Sequence, residues 1–142
     1  MTAPIQPPKP TRKFLDAAKT LLGPKGWSED PEILADHATP WRGTFRGETP
    51  FAAYPASTEE AAALVRLCAG HGVAITPQGG NTGLVDGGTP HGEIVVSLKR
   101  MAAIRSLDAF NNSLVVDAGC VLTDAQTAAE AANRYFPLSL GS

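Results

Sequence analysis

The spacing of apolar and polar positions divides the chain into stretches of different period. From Thr11, apolar residues recur at Phe14, Leu15, Ala18, Leu21 and Leu22, a helical spacing, and "GPKG" then supplies the Gly and Pro that cannot continue a helix. One helix with one buried stripe is predicted. Between Trp27 and Pro50 the pattern weakens: "PEILADHA" predicts a short helix, and "TPWRGTFRGETP", with Pro40, Gly43, Gly47 and Pro50, predicts an extended loop. Residues 51–76 change character. "FAAYPAS" reads as a short apolar strand closed by Pro55, and "STEEAAALVRLCAGHG" as a helix with Ser57 as N-cap, Glu60 as its capping-box partner and Gly70 or Gly72 as the stop. Ala61, Leu64, Val65 and Cys68 form its expected inward face. "VAIT" follows as a second apolar strand, so the order is strand, helix, strand, a βαβ unit with parallel strands.

After residue 92 the period shifts to two. Glu93–Leu98, Ala103–Asp108 and Ser113–Gly119 read as strands, with Asn111-Asn112 as a hairpin turn tolerant of left-handed backbone. "LTDAQTAAEAANRY" predicts a helix capped by Thr123 or Asp124, with Ala125, Ala128, Ala129 and Ala132 as a flat face able to lie on a sheet. The fold class expected is α+β: a parallel βαβ part, then antiparallel strands and a helix. The last stretch, "FPLSLGS", leads from that helix into no further element, which reads as an incomplete domain.

Composition narrows the function classes. With 43% hydrophobic and 18% charged residues, the 142-residue chain has the make-up of a folded domain and not of a disordered tail. Twelve Lys and Arg against fourteen Asp and Glu leave a net charge of -2, so the electrostatic footprint of a nucleic-acid binder is missing. The basic residues Lys9, Arg12, Lys13, Lys19 and Lys25 read as the solvated flank of the first helix, and Pro4, Pro7, Pro8 and Pro10 break any helix before Thr11. The opening residues show no apolar signal core and no run has transmembrane length, so a cytoplasmic protein is expected. Cys68 and Cys120, without a CxxC or a neighbouring His, read as small hydrophobes of a reducing compartment.

One stretch asks for more than packing. "TPQGGNTGLVDGGTP", residues 76–90, holds five glycines and a single charged side chain, Asp86. Glycine allows positive φ and lets backbone approach something bulky, and successive exposed N–H groups prefer an anion. Amide hydrogen bonds to a charged oxygen are worth about 1.5–3 kcal/mol each, so several would hold a diphosphate without Lys or Arg. The loop is no Walker loop, since no Lys follows before Lys99, and the spacing of Gly79, Gly80 and Gly83 does not fit GxGxxG. On composition alone, a structural turn and an anion loop are both open.

The stretch from "YPASTEEAAALVRLCAGHGVAITPQGGNTGLVDGGTPHGEIVVSLKRMAAI" through "VVDAGCVL" to "FPLSLGS" closely resembles the first half of the FAD-binding (PCMH-type) domain of the vanillyl-alcohol oxidase/p-cresol methylhydroxylase flavoproteins. Within them it is most similar to the D-2-hydroxyacid dehydrogenases, the D-lactate, D-2-hydroxyglutarate and glycolate oxidase-like branch. The resemblance runs over about residues 41–142 and implies a helical and extended lead-in at 1–46, then an incomplete FAD-binding domain at 47–142. It implies that Pro77, Gln78, Gly79, Gly80, Asn81, Thr82, Gly83, Leu84 and Val85 wrap the FAD pyrophosphate, with Gln78 bracing the loop and the Asn81 amide and Thr82 hydroxyl adding side-chain donors. Pro55 matches a proline on the adenine side, with strand termination as its alternative role. Pro137, Leu138, Gly141 and Ser142 match a segment that flanks the cofactor.

Two departures concern side chains: Asp86 stands where relatives carry a small residue and would repel a diphosphate unless turned to solvent, and Pro40 replaces an Asp before Trp41-Arg42-Gly43. Non-covalent FAD is implied, because the loop holds no His for a covalent link. His91 reads as an exposed turn residue, His71 sits at a helix end, and His37 has no partner in view. The implied reaction of the complete protein is oxidation of a small D-2-hydroxy acid to a 2-oxo acid, with electrons passed to a quinone, an electron-transfer flavoprotein or a cytochrome. A divalent metal and the catalytic residues would belong to a later part, so none is named here. The exposed strand edges of half a domain imply self-association. A stand-alone nucleotide-binding or interaction module without turnover is the alternative.

Overall fold

A computed structural model describes residues 8–43 and 45–139. Helix α1 (Arg12–Leu22) begins where Thr11 Oγ1 accepts from Phe14 N–H and ends at Gly23, whose φ of 67° only glycine adopts without strain. Strand β1 (Trp27–Ser28) and helix α2 (Pro31–Ala38) follow. In α2, Asp30 caps the N-terminus at Glu32 N–H, and Pro31 takes the first turn, where its missing N–H costs nothing. Next come β2 (Ala52–Ala53), α3 (Thr58–His71), β3 (Ile75–Gln78) and β4 (Ile94–Ser97). The hairpin β5 (Ile104–Asp108) and β6 (Ser113–Val116) and helix α4 (Leu122–Ala131) complete the order.

The first four strands form one sheet in the order β1-β2-β4-β3, with β2, β4 and β3 parallel and β1 antiparallel at the edge. The α+β class expected from the sequence is what the chain adopts, with one shift of boundary. β4, expected to open the antiparallel part, is the central parallel strand between β2 and β3. All four of its residues are buried, because helices cover both of its faces and no side is left to be polar. Phe51, Ala53, Ile94 and Val96 pack under α1 and α3 with Phe14, Ala18, Leu22, Leu64 and Cys68, while Ala52, Tyr54 and Val95 meet Leu34 of α2 on the opposite face. The fully buried Phe14, Phe51, Leu64 and Ile94 each contribute about 1.5–3 kcal/mol of burial.

Helix α3 keeps its written punctuation. Ser57 Oγ accepts from Glu60 N–H at 3.2 Å, and the Glu60 carboxylate reaches back to Ala56 N–H at 2.8 Å. The stop is Gly72, in left-handed backbone, and not Gly70. Leu64 and Cys68 point inward as expected, but Val65 is 45% exposed, and Leu67 packs against the core in its place. Burial pushes the Cys68 thiol up to about 11, so it stays a neutral packing group.

The β5–β6 hairpin is a separate two-stranded sheet. Its turn is held by the Asp108 carboxylate, which accepts from Phe110 N–H and Asn111 N–H, and Asn112 takes the left-handed conformation with φ 52°. Helix α4 lies on it through Ala125 and Ala129, both buried. Its N-cap is Val121 with no side-chain bond; Thr123 and Asp124, expected as caps, are already inside the helix. Gly119 joins the two sheets at close quarters, since a Cβ there would sit 1.9 Å from the Leu98 carbonyl oxygen. Among the described residues no helix is long and apolar enough to cross a membrane.

Candidate functional site: a glycine loop at the ends of three parallel strands

In open α/β sheets, ligands settle beyond the carboxyl ends of parallel strands, where the chain must turn away and leaves backbone groups unspent. Here those ends are Tyr54 after β2, Gln78 at the end of β3 and Ser97 at the end of β4. All three line one cleft of about 510 Å³, together with Gly79, Gly80, Asn81, Lys99 and Arg100 on the sheet side and Trp27, Asp36 and His37 on the other. A second cleft of about 380 Å³ also begins at Gly79, Gly80 and Lys99 and runs to Ala118, Gly119, Cys120 and Val121 before the start of α4. The start of the glycine loop thus lies between two openings and is reached from both.

Past β3, the first backbone N–H that finds a carbonyl among the described residues is that of Thr89, bonded to Asp86 O at 3.1 Å. The amides from Gly79 to Gly88 are left without such a partner. The loop's glycines do not serve the backbone angles expected of them. The left-handed residues are Asn81 (φ 52°) and Asp86 (φ 67°), whereas Gly79, Gly80, Gly83, Gly87 and Gly88 have ordinary φ. A Cβ at Gly83 would meet nothing, and one at Gly80 or Gly79 would come no closer than 3.6 Å to a neighbour. The fold itself therefore does not require glycine at 79, 80 or 83. Glycine there leaves the amides open to close approach by a bulky anion, so the residues present would fit the pyrophosphate of FAD.

The loop is tied at its base by Gln78, which is 3% exposed. Its Nε2 donates to the carbonyls of His37 (2.8 Å) and Gly88 (2.7 Å), and its Oε1 lies 2.6 Å from His37 Nδ1. Gln78 thus spends its side chain on the protein as a brace. His37, for which the sequence showed no partner, also meets the Tyr54 hydroxyl at 2.9 Å through Nε2. Burial raises the Tyr54 phenol above its usual range, which keeps it a proton donor. Arg100 donates to the Tyr54 carbonyl at 2.8 Å, and Lys99 Nζ stands 4.2 Å from the Tyr54 ring centre. Two cations therefore stand at the mouth of a loop that the sequence presented as free of them.

Asp86 is only partly turned to solvent. Its Oδ2 faces His91 Nε2 at 3.2 Å, and its Oδ1 is buried beside the Thr89 hydroxyl without a well-formed hydrogen bond. The Thr89 hydroxyl, and after it His91, lowers the Asp86 pKa. His91 is exposed, as expected, but has this partner.

The other expected residues scatter. Pro55 is fully buried, and Pro77 is exposed on the edge strand, where a missing N–H is tolerated. Thr82 and Gly83 are exposed, and Leu84 and Val85 are 51% and 86% exposed, facing away from packing. Pro137 and Leu138 lie by α4, where Gln126 donates to the Leu138 carbonyl, and line neither cleft. Gly141 and Ser142 lie outside the described residues. Lys99 and Arg100 escaped the sequence reading because β4 was not recognised as parallel; strand-end position would have found both, and also Tyr54 after β2. His37 had no such signal, since its contact bridges 41 positions.

Residues 50–142 match the FAD binding domain family. The chain is 35% identical over 125 residues to the mitochondrial D-2-hydroxyglutarate dehydrogenase of Arabidopsis thaliana, covering 87% of this chain and 22% of that protein. It is 38% identical over 114 residues to the enzyme of the same name from Bos taurus, covering 80% of this chain and 21% of that one. The chain thus spans about a fifth of the length of these relatives. Among solved structures, an alkyldihydroxyacetonephosphate synthase superposes with a TM-score of 0.76 at 20% identity over 88% of this chain and 28% of its own. A p-cresol methylhydroxylase superposes with a TM-score of 0.67 at 18% identity, over 87% and 26%. At such identities the two structures speak for the fold alone, and the family match agrees with them. The chain belongs to the FAD binding domain family.

Proposed function

We propose that this chain is the pyrophosphate-binding part of an FAD-dependent oxidoreductase that converts a D-2-hydroxy acid to a 2-oxo acid. The observation that carries the binding role is the run of amides from Gly79 to Gly88, without a backbone partner among the described residues, at the ends of three parallel strands. Those amides would meet the diphosphate oxygens, Asn81 and Thr82 would add side-chain donors, and Lys99, on the rim of both clefts, would offset the charge. Gln78 holds the loop and has no donor left for the ligand. The substrate class rests on the names of the relatives. Bound FAD would supply the acceptor for the hydride from the hydroxy acid; no residue of this chain is assigned to proton transfer. Binding is non-covalent in this proposal, reduced FAD passes its electrons to a quinone, an electron-transfer flavoprotein or a cytochrome, and a divalent metal, if used, is held outside this chain. The apolar residues left exposed on the hairpin, Ile104, Val115 and Val116, would drive self-association of the isolated chain, which light scattering would read as a mass above the monomer.

The direct test replaces Gly80 and Gly83 by Val in the complete protein. Both positions have ordinary φ and room for a Cβ, so the apo fold should survive, and FAD should be lost on desalting. Stoichiometric FAD in the double variant would refute the assignment.

A further inference from the structure

Resting on the reading that the glycine loop binds the FAD diphosphate, we infer that His37 is a positioning residue for that loop, which makes α2 part of the cofactor site. His37 lies outside residues 50–142, the span that matches the family. Its side chain nevertheless lines the first cleft with Gly79, Gly80 and Asn81. Its contact to the loop runs through Gln78, and the hydrogen bonds of Gln78 leave only one arrangement.

Both Nε2 protons of Gln78 are spent on carbonyl oxygens, those of His37 and Gly88. Oε1 is therefore the atom facing His37, and an amide oxygen only accepts, so Nδ1 of His37 carries a proton and donates. In the neutral ring Nε2 then accepts from the Tyr54 hydroxyl. A flipped carboxamide would set its oxygen against two carbonyl oxygens, so those carbonyls fix its orientation. The His37 ring, as donor to Oε1, then holds Gln78 in the pose that ties the residue before the glycines to Gly88 near the loop's far end. Gly88 also comes close to the other limb of the loop: a Cβ there would stand 2.9 Å from Asn81 Oδ1.

The surrounding lead-in is built to hold His37 there. β1 pairs with β2, Trp27 stacks on Phe51 with ring centres 6.0 Å apart, and Tyr54 N–H donates to the Gly26 carbonyl at 2.8 Å. At the far end of α2, Gly47 N–H donates to the Ala38 carbonyl at 2.9 Å, and a Cβ at Gly47 would lie 2.0 Å from the Pro90 carbonyl oxygen. The segment just after the lead-in and the one after the glycine loop are thus in backbone contact, Glu48 N–H donating to the Pro90 carbonyl at 2.9 Å.

The test uses the complete protein and two substitutions of nearly equal size. His37→Asn places an N–H near the position of Nδ1, whereas His37→Leu fills similar space with no donor. FAD affinity would be measured by flavin fluorescence, with the unfolding temperature of the apo form as a control. His37→Asn should hold FAD within about threefold of the unsubstituted protein, and His37→Leu should bind it about tenfold more weakly, the value of about one net hydrogen bond. His37→Leu should weaken binding no further in a protein that already carries Gln78→Ala. Equal affinities for Asn and Leu, whether both normal or both weakened alongside a lower apo unfolding temperature, would overturn the positioning role. Should Gly80→Val bind FAD as well as the unsubstituted protein does, the diphosphate reading itself falls, whatever the His37 variants show.

Discussion

The two sheets of this chain are built on opposite terms. In the β1-β2-β4-β3 sheet every residue of β4 is buried and helices close both faces, whereas β5 and β6 keep seven of their nine residues exposed and have only α4 on one side. The first sheet is a finished core. The second is held by its turn, by the Arg105–Asp117 ion pair and by Arg105 Nη2 donating to Thr58 Oγ1 at 2.9 Å. The glycine loop leaves the finished sheet, and the second cleft lies between it and the approach to α4, so a rigid wall faces a less covered one. Such an arrangement fixes the amides that would meet a diphosphate and leaves the opposite wall open to ligand or to further chain.

Equivalent truncations in the two sheets should separate this contrast most sharply. Ile94→Ala in β4 should cost about 2–5 kcal/mol in urea unfolding, the range for a large buried aliphatic side chain. Val115→Ala in β6, at a position 51% exposed, should cost no more than about 0.5 kcal/mol. Equal costs would mean that the hairpin is as much a core as the sheet. At the junction, Gly119→Ala forces a methyl group against the Leu98 carbonyl and should cost about 1–3 kcal/mol, with a larger loss of FAD affinity than of stability as the second cleft is pushed out of shape. Unchanged FAD binding would show that this cleft takes no part.

Cysteine labelling offers a smaller but cleaner readout. Cys120 is half-buried on the second cleft, while Cys68 is 2% exposed and its thiol is held near 11. A maleimide should modify Cys120 in the folded protein and reach Cys68 only on unfolding, and FAD should slow the Cys120 reaction. Equal rates with and without FAD would place the ligand elsewhere. The smallest effect is expected from Asp86. Its folded-state pKa is lowered, so its stabilising contribution is present above the ordinary carboxylate value of 3.8 and is lost as pH falls through the lower folded value. Amide signals of residues 86–91 should therefore shift with acid below about pH 4 and cease to do so in Asp86→Asn; the same acid shift in that variant would assign it to another group.

What could be read from the sequence was whatever local chemistry decides. Ser57, Glu60 and Gly72 write out the ends of α3, and Asn111-Asn112 writes out the hairpin turn, because caps and turns are settled within a few residues. The glycine loop was legible as an exception to packing, although its left-handed positions fell to Asn81 and Asp86 and not to glycines. Partnership across the sheet was hidden. Nothing local tells that β4 inserts between β2 and β3, and without that order Lys99 and Arg100 are only two charges after a strand. Helix α2 shows why His37 was missed: its periodicity is weak, and its role is set by Gln78 and Tyr54, which come to it only in the folded chain.

Hydrogen exchange of the complete protein, followed by mass spectrometry with and without FAD, tests most directly whether the bare amides of the glycine loop hold the cofactor. Peptides spanning Gly79 to Gly88 should exchange freely in the apo protein and become protected when FAD is added, while β4 stays protected in both states. Free exchange of that loop in a protein that retains FAD would contradict the account.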